Sequence, residues 1–210
     1  MALVADLLNE NFDILTSWTN VDAGYGVTEI SPAGQMRQDS NTPADPATIS
    51  GVYKIIATPP NLFTLDVNLK CDLVGLLYDG DRIDISYSTS TWMLKALIAA
   101  DGLFLVKAGA TIFEVGTNII KTGGSAEFQK LRFQVNKSAG EANAIVEVVL
   151  DEVSQGTFDC DWEVAGTAGE IKLVTQGVTT ANIVTHTDYI RIASGIGPIN
   201  SSPRRQAMII

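Results

Sequence analysis

The stretch Thr64-Leu65-Asp66-Val67-Asn68-Leu69-Lys70-Cys71-Asp72 decides the fold class. Every odd position is apolar and every even one polar or charged, the period of a strand with one face on a core and the other toward water. The same alternation runs through Arg82-Ile83-Asp84-Ile85-Ser86-Tyr87, Lys130-Leu131-Arg132-Phe133-Gln134-Val135-Asn136 and Glu170-Ile171-Lys172-Leu173. From Ala144 to Val153, Val146, Val148 and Leu150 share one side, and Glu147, Val149 and Asp151 the other, which predicts a more buried strand. Turn chemistry separates the runs at Asp79-Gly80-Asp81, Asp101-Gly102, Gly123-Gly124 and Ser138-Ala139-Gly140.

Composition agrees with the pattern. Of 210 residues, 19 Thr, 17 Val and 20 Ile make 56 β-branched side chains, the types that pack best on a pleated surface. At 46% hydrophobic and 18% charged the chain is too apolar for disorder, and it is long enough for one large all-β domain. Helical signal is thin: residues 2–9 are expected to form a short turn of helix, while 91–107 are read as two strands around Asp101-Gly102. Residues 38–50 are expected to be a long surface loop and 194–210 an irregular tail, since neither has periodicity. About a dozen short strands with polar turns predict an all-β, two-sheet antiparallel β-sandwich of jelly-roll type. Residues 1–195 would form that single domain with a short N-terminal lead-in, and 196–210 a C-terminal tail.

The order of these segments resembles that of concanavalin A-like (laminin G-like) jelly-roll domains, found in lectins, glycan-binding modules and phage structural proteins. The resembling elements are Glu10-Asn11-Phe12-Asp13 followed by Trp18, Gly34-Gln35-Met36-Arg37, and the strand 63–72. They continue with the strand pair 131–136 and Val146 to Val153, whose Asp151-Glu152 stands where such domains usually carry Asp-Gly. Gly169-Glu170-Ile171-Lys172-Leu173 and the closing Asp188-Tyr189-Ile190-Arg191-Ile192 complete the match over about residues 8–195. The resemblance implies architecture far more than activity. It also implies a structural calcium ion between the first and last strands, for which Glu10, Asp13 and Asp188 are the matching positions.

Candidate chemistry is sparse. The single histidine, His186, has no Gly-x-Ser-x-Gly elbow and no Cys/His cluster to work with, and reads as a surface or edge residue. No phosphate-cradling Gly-rich loop is present. Cys71 continues the apolar alternation of Leu65, Val67 and Leu69, so it reads as a buried thiol, and its pairing with Cys160 is open. Asp159-Cys160-Asp161-Trp162-Glu163 puts Asp159, Asp161 and Glu163 on one strand face. The first reading is a wet face on an acidic protein. The alternative is the Glu-x-Asp-x-Glu catalytic strand of jelly-roll glycanases, with one carboxylate as nucleophile and another as general acid. Tyr25, Tyr78, Tyr87 and Trp92 are the aromatics placed to stack on a sugar ring if they escape the core, where Trp18 and Trp162 are expected instead.

Charge narrows the partners. Fourteen Lys and Arg against 24 Asp and Glu leave a net charge of -10, which argues against nucleic acid or an anionic membrane. Residues 196–210 carry Arg204 and Arg205 and no acid, so an acidic body ends in a basic tail closing on Met208, Ile209 and Ile210. The opening residues lack a basic region and meet Asp6 too early for a secretory signal. These features favour a non-catalytic structural component of a virion, a phage capsid-decoration or tail-associated protein made in the host cytoplasm. Its tail would dock on other virion proteins, the assembly would be a homo-oligomer, and no cofactor beyond calcium would be needed. The alternative is an extracellular carbohydrate-binding module or glycoside hydrolase acting on a polysaccharide.

Overall fold

The computed structural model describes residues 3–40, 48–56, 60–74, 82–88, 93–98, 104–108, 111–116, 121, 126–140, 143–159, 169–177 and 182–199. Its strands are β1 (Leu8–Glu10), β2 (Thr19–Asn20), β3 (Val27–Ile30), β4 (Met36–Asp39), β5 (Thr48–Ile55), β6 (Leu62–Val74), β7 (Arg82–Ser88) and β8 (Met93–Ile98). They continue as β9 (Phe104–Ala108), β10 (Thr111–Gly116), β11 (Gln129–Asn136), β12 (Ile145–Leu150), β13 (Val153–Asp159), β14 (Glu170–Gly177) and β15 (Asn182–Ser194). Two antiparallel sheets form, one ordered β13-β12-β11-β6-β15-β4-β3 with β1 also on β15, the other β10-β9-β8-β7-β14-β5-β2. The all-β sandwich expected from alternation is the observed architecture. Among the described residues no helix is long and apolar enough to cross a membrane.

The apolar alternates do what their period predicts. Leu65, Val67, Leu69 and Cys71 of β6, Leu131, Phe133 and Val135 of β11, Val146, Val148 and Leu150 of β12, and Ile190 and Ile192 of β15 are all buried in one cluster. Val52 of β5 and Ile171 and Leu173 of β14 meet them from the other sheet. Cys71 is a free thiol, and burial pushes its pKa up to about 12. Trp18 joins this core, its ring 5.4 Å from that of Phe12. At the β4 end the interior turns polar: Gln38 donates to the carbonyls of Leu173 (3.0 Å) and Ser50 (3.3 Å), so its amide ties the two sheets together.

Four expectations are corrected. Where a turn of helix is expected over 2–9, the described residues 3–9 are not helical, because Leu8 pairs with Ile192 in β1 and Asp6 accepts a hydrogen bond from the Ser194 amide. The loop expected over 38–50 is strand at both ends, with Gln38, Asp39, Thr48 and Ser50 buried among polar partners that alternation cannot detect. Val153 leaves the preceding strand and opens β13, where it is exposed. The irregular tail also begins later than expected, since β15 runs to Ser194 and Ile199 is buried against the Leu3 bridge. Residues 200–210, including Arg204, Arg205, Met208, Ile209 and Ile210, lie outside the described residues.

Candidate functional site

The site is built from the polar alternates of β6, β11 and β15, which share the outer face of the eight-stranded sheet. Register places Arg132, Asp66 and Arg191 side by side in one row, with Asn9 beyond Arg191. The neighbouring row holds Lys130, Asn68 and Tyr189. Between Thr187 and Tyr189 the pairing slips by one residue, so Asp188 is bulged out, and the Asn68 amide donates to its carboxylate at 3.3 Å. Bulges of this kind re-aim side chains: this one shifts the outer face from the even position of His186 to the odd positions of Tyr189 and Arg191, with Asp188 also turned to it.

An outer sheet face is normally wet; this one is closed at its centre. Asp66 is 0% exposed, Arg132 4% and Arg191 3%. Asp66 accepts from Arg132 Nε at 2.8 Å and lies 3.5 Å from Lys130 Nζ. Arg132 then turns its two terminal nitrogens onto Glu152 at 2.8 and 2.9 Å, a bidentate clasp, and Lys130 donates to the same carboxylate at 2.9 Å. Burial pushes the Asp66 carboxyl up, against the pull of Arg132 and Lys130. Glu152 moves the other way, to about 2, because Arg132 and Lys130 donate to its charged form.

The hairpin carrying Glu152 is strained to deliver it. Asp151 and Glu152 have φ of 48° and 67°, the left-handed pair of a two-residue turn that Asn-Gly would fill without cost. Each non-glycine residue there costs about 1–2 kcal/mol. The Asp151 carboxylate repays part of this by accepting from the Lys130 amide at 2.8 Å, and Glu152 by holding Arg132.

Tyr189 stands beside this network, partly exposed, with the Arg191 guanidinium 3.9 Å from its ring centroid. Burial, with the nearby Asp66 charge, raises the Tyr189 pKa, so its hydroxyl stays protonated at neutral pH. The surface thus offers an aromatic ring, the amide of Asn68, and fixed charged groups with planar hydrogen-bonding edges. That is the chemistry that reads the hydroxyls and apolar faces of a sugar ring.

The residues singled out from sequence fall elsewhere. Glu10 points inward beside the core: its carboxylate accepts from the Phe12 amide and Trp18 Nε1, both at 3.1 Å, and from Lys54 at 3.4 Å. Asp188 is on the outer face and Asp13 is exposed, so the three proposed calcium ligands are not brought together. Among the described residues no three acidic, His or Cys side chains cluster as metal ligands. Tyr25 is 58% exposed at the sandwich edge, held by Gly24 at φ 66° and by Gly26, where a Cβ would meet the Ile49 carbonyl oxygen at 1.9 Å. It precedes β3, level with Val184 and Asp72, away from Tyr189. Asp159 ends the edge strand β13 opposite Ile145 and is exposed. Asp161, Glu163, Cys160, Trp162, Tyr78 and Trp92 lie outside the described residues, as does the side chain of Tyr87. His186 pairs with Lys70 and Arg37 across the same outer face, 3.6 Å from Asp72, and burial lowers its pKa.

No family model and no curated protein sequence matches the chain, which leaves the concanavalin A-like resemblance at the level of architecture. Solved structures do match. A sialidase superposes with a TM-score of 0.64 at 12% identity over 91% of this chain, which spans only 19% of the sialidase. An endo-β-1,4-glucuronan lyase from the fungus Trichoderma reesei matches with a TM-score of 0.60 at 8% identity, over 88% of this chain and 94% of the lyase. A cellulose-induced protein matches with a TM-score of 0.58 at 11% identity, over 92% of this chain and 100% of its own. At such identities the likeness is one of fold: a β-sandwich shared with carbohydrate-active proteins. It corrects the expectation of a non-catalytic chain, because an enzyme is built on nearly the whole of this sandwich. Nothing in these names supports a virion role.

Proposed function

We propose that this chain is a carbohydrate-recognising β-sandwich that takes its saccharide on the outer face of the eight-stranded sheet, around Tyr189, Asn68 and the Asp66–Arg132 pair. The observation that carries the reading is the closed polar face itself. Burying charges costs more than leaving them in water, so a sheet face that buries Asp66, Arg132 and Arg191 beside a partly exposed tyrosine serves something other than solubility. Groups locked by mutual hydrogen bonds lose little freedom when a ligand arrives, and that preorganisation favours binding. The sialidase and lyase likenesses support the same class of ligand.

Full-length protein applied to a glycan and polysaccharide array is expected to bind at least one saccharide class. Tyr189→Ala should weaken that binding about tenfold, or by 1.4 kcal/mol, whereas Tyr25→Ala leaves it unchanged. The same polymers, incubated with the protein and assayed for released fragments, test cleavage at this face. Absence of binding to every saccharide, or loss on Tyr25→Ala with Tyr189→Ala unaffected, overturns the proposal.

A further inference from the structure

We infer that Arg191 receives a carboxylate of the bound sugar, so that the saccharide recognised on this face is an acidic one; the inference rests on the glycan-binding reading of the same surface. In one row of the outer face Asp66 stands between two arginines, Arg132 and Arg191. Asp66 is committed to one side of it, to Arg132 at 2.8 Å and Lys130 at 3.5 Å. Arg132 and Lys130 also share Glu152, so two cations face two carboxylates and that half of the row is balanced.

Arg191 is left over. Its Nε donates to Asn9 Oδ1 at 3.2 Å and its Nη2 to Asn11 Oδ1 at 3.1 Å, both neutral acceptors, and its Cζ lies 3.9 Å from the Tyr189 ring centroid. Among the described residues no carboxylate comes within ion-pair distance of it and no acceptor takes Nη1. A guanidinium offers five N–H donors in a rigid fork, and the two asparagines occupy only the Nε–Nη2 side. The Nη1–Nη2 end, whose geometry matches the two oxygens of a carboxylate, is unclaimed. Burial lowers the Arg191 pKa, against the raising pull of Tyr189 and Asp66. Because Tyr189 lies against Arg191, a sugar ring packed beside the tyrosine would bring its carboxylate to the guanidinium.

The net charge of -10 sets the limit on this ligand. A densely charged polyanion would be repelled by the body of the protein, so the fit is to a saccharide presenting one carboxylate at this position. Calorimetric titration of the full chain with uronate and sialate oligosaccharides, each beside its carboxyl-reduced counterpart, tests the inference on the unaltered protein. Reduction of the carboxylate is expected to cost at least tenfold in affinity, and Arg191→Lys to narrow the affinity ratio between the acidic sugar and its reduced counterpart. Equal binding of acidic and reduced sugars, both weakened by Tyr189→Ala, overturns the carboxylate role and leaves the glycan reading standing. Preference for sulfated over carboxylated sugars overturns it as well. Binding of no saccharide at all overturns both.

Discussion

The two faces of β6 are equally closed at their centre and chemically opposite. Leu65 and Val67 on the inner face and Thr64 and Asp66 on the outer are all fully buried. The inner face excludes water by packing apolar surface; the outer does so by joining Asp66, Arg132, Lys130 and Glu152 into one ion-pair network. Alternation in a sequence reports polarity, and wetness is a separate property that depends on which strands come to lie alongside.

The two kinds of burial should respond differently to mutation. Phe133→Ala on the inner face is expected to cost about 3–5 kcal/mol, because a large side chain leaves a cavity that the sandwich closes only partly. Denaturant unfolding checks this. Asp66→Ala should cost about 3 kcal/mol by stripping a buried arginine of a partner, yet the double change Asp66→Leu with Arg132→Leu should return to within about 1–2 kcal/mol of the wild type. A double variant as unstable as the single one would show that the outer face is held together by its charges in the way the inner face is held by its packing.

Smaller effects sharpen the same contrast at the rim. Glu152 has a folded pKa of about 2, below its ordinary value, so its contribution is present above the usual glutamate range and lost as pH falls toward 2. Asp66 is shifted upward and works in the opposite sense, favouring the fold as it takes up a proton. Glu152→Gln should therefore flatten the acid limb of the stability curve, measured by thermal unfolding from neutral pH downward. Its half-exposed side chain keeps the effect modest. His186, lowered mainly by burial, should titrate below the usual histidine range by NMR, and stability should decline as pH falls through that range because the unfolded chain takes the proton first.

Much of the fold was legible from particular residues. Thr64 to Asp72 gives β6 and its apolar inner face, while the alternating run from Ala144 to Val153 hides where β13 begins. The site was far less so. Asp66, Arg132 and Arg191 are each an ordinary polar alternate, and only the register of strands far apart in the chain sets them in one row. The bulge that brings out Asp188 leaves no mark in the pattern. Glu10 misled for a related reason: its carboxylate looked available for an ion but is spent on Trp18, Phe12 and Lys54, a contact between sheets that spacing along one strand cannot reveal.

The most direct test of the account is to map a bound saccharide by amide chemical-shift perturbation on the isotopically labelled full chain. The largest shifts are expected on β6, β11 and β15 around Asp66, Asn68, Arg132, Tyr189 and Arg191. Shifts concentrated instead at Tyr25 and the sandwich edge, or spread over the seven-stranded sheet, would contradict it.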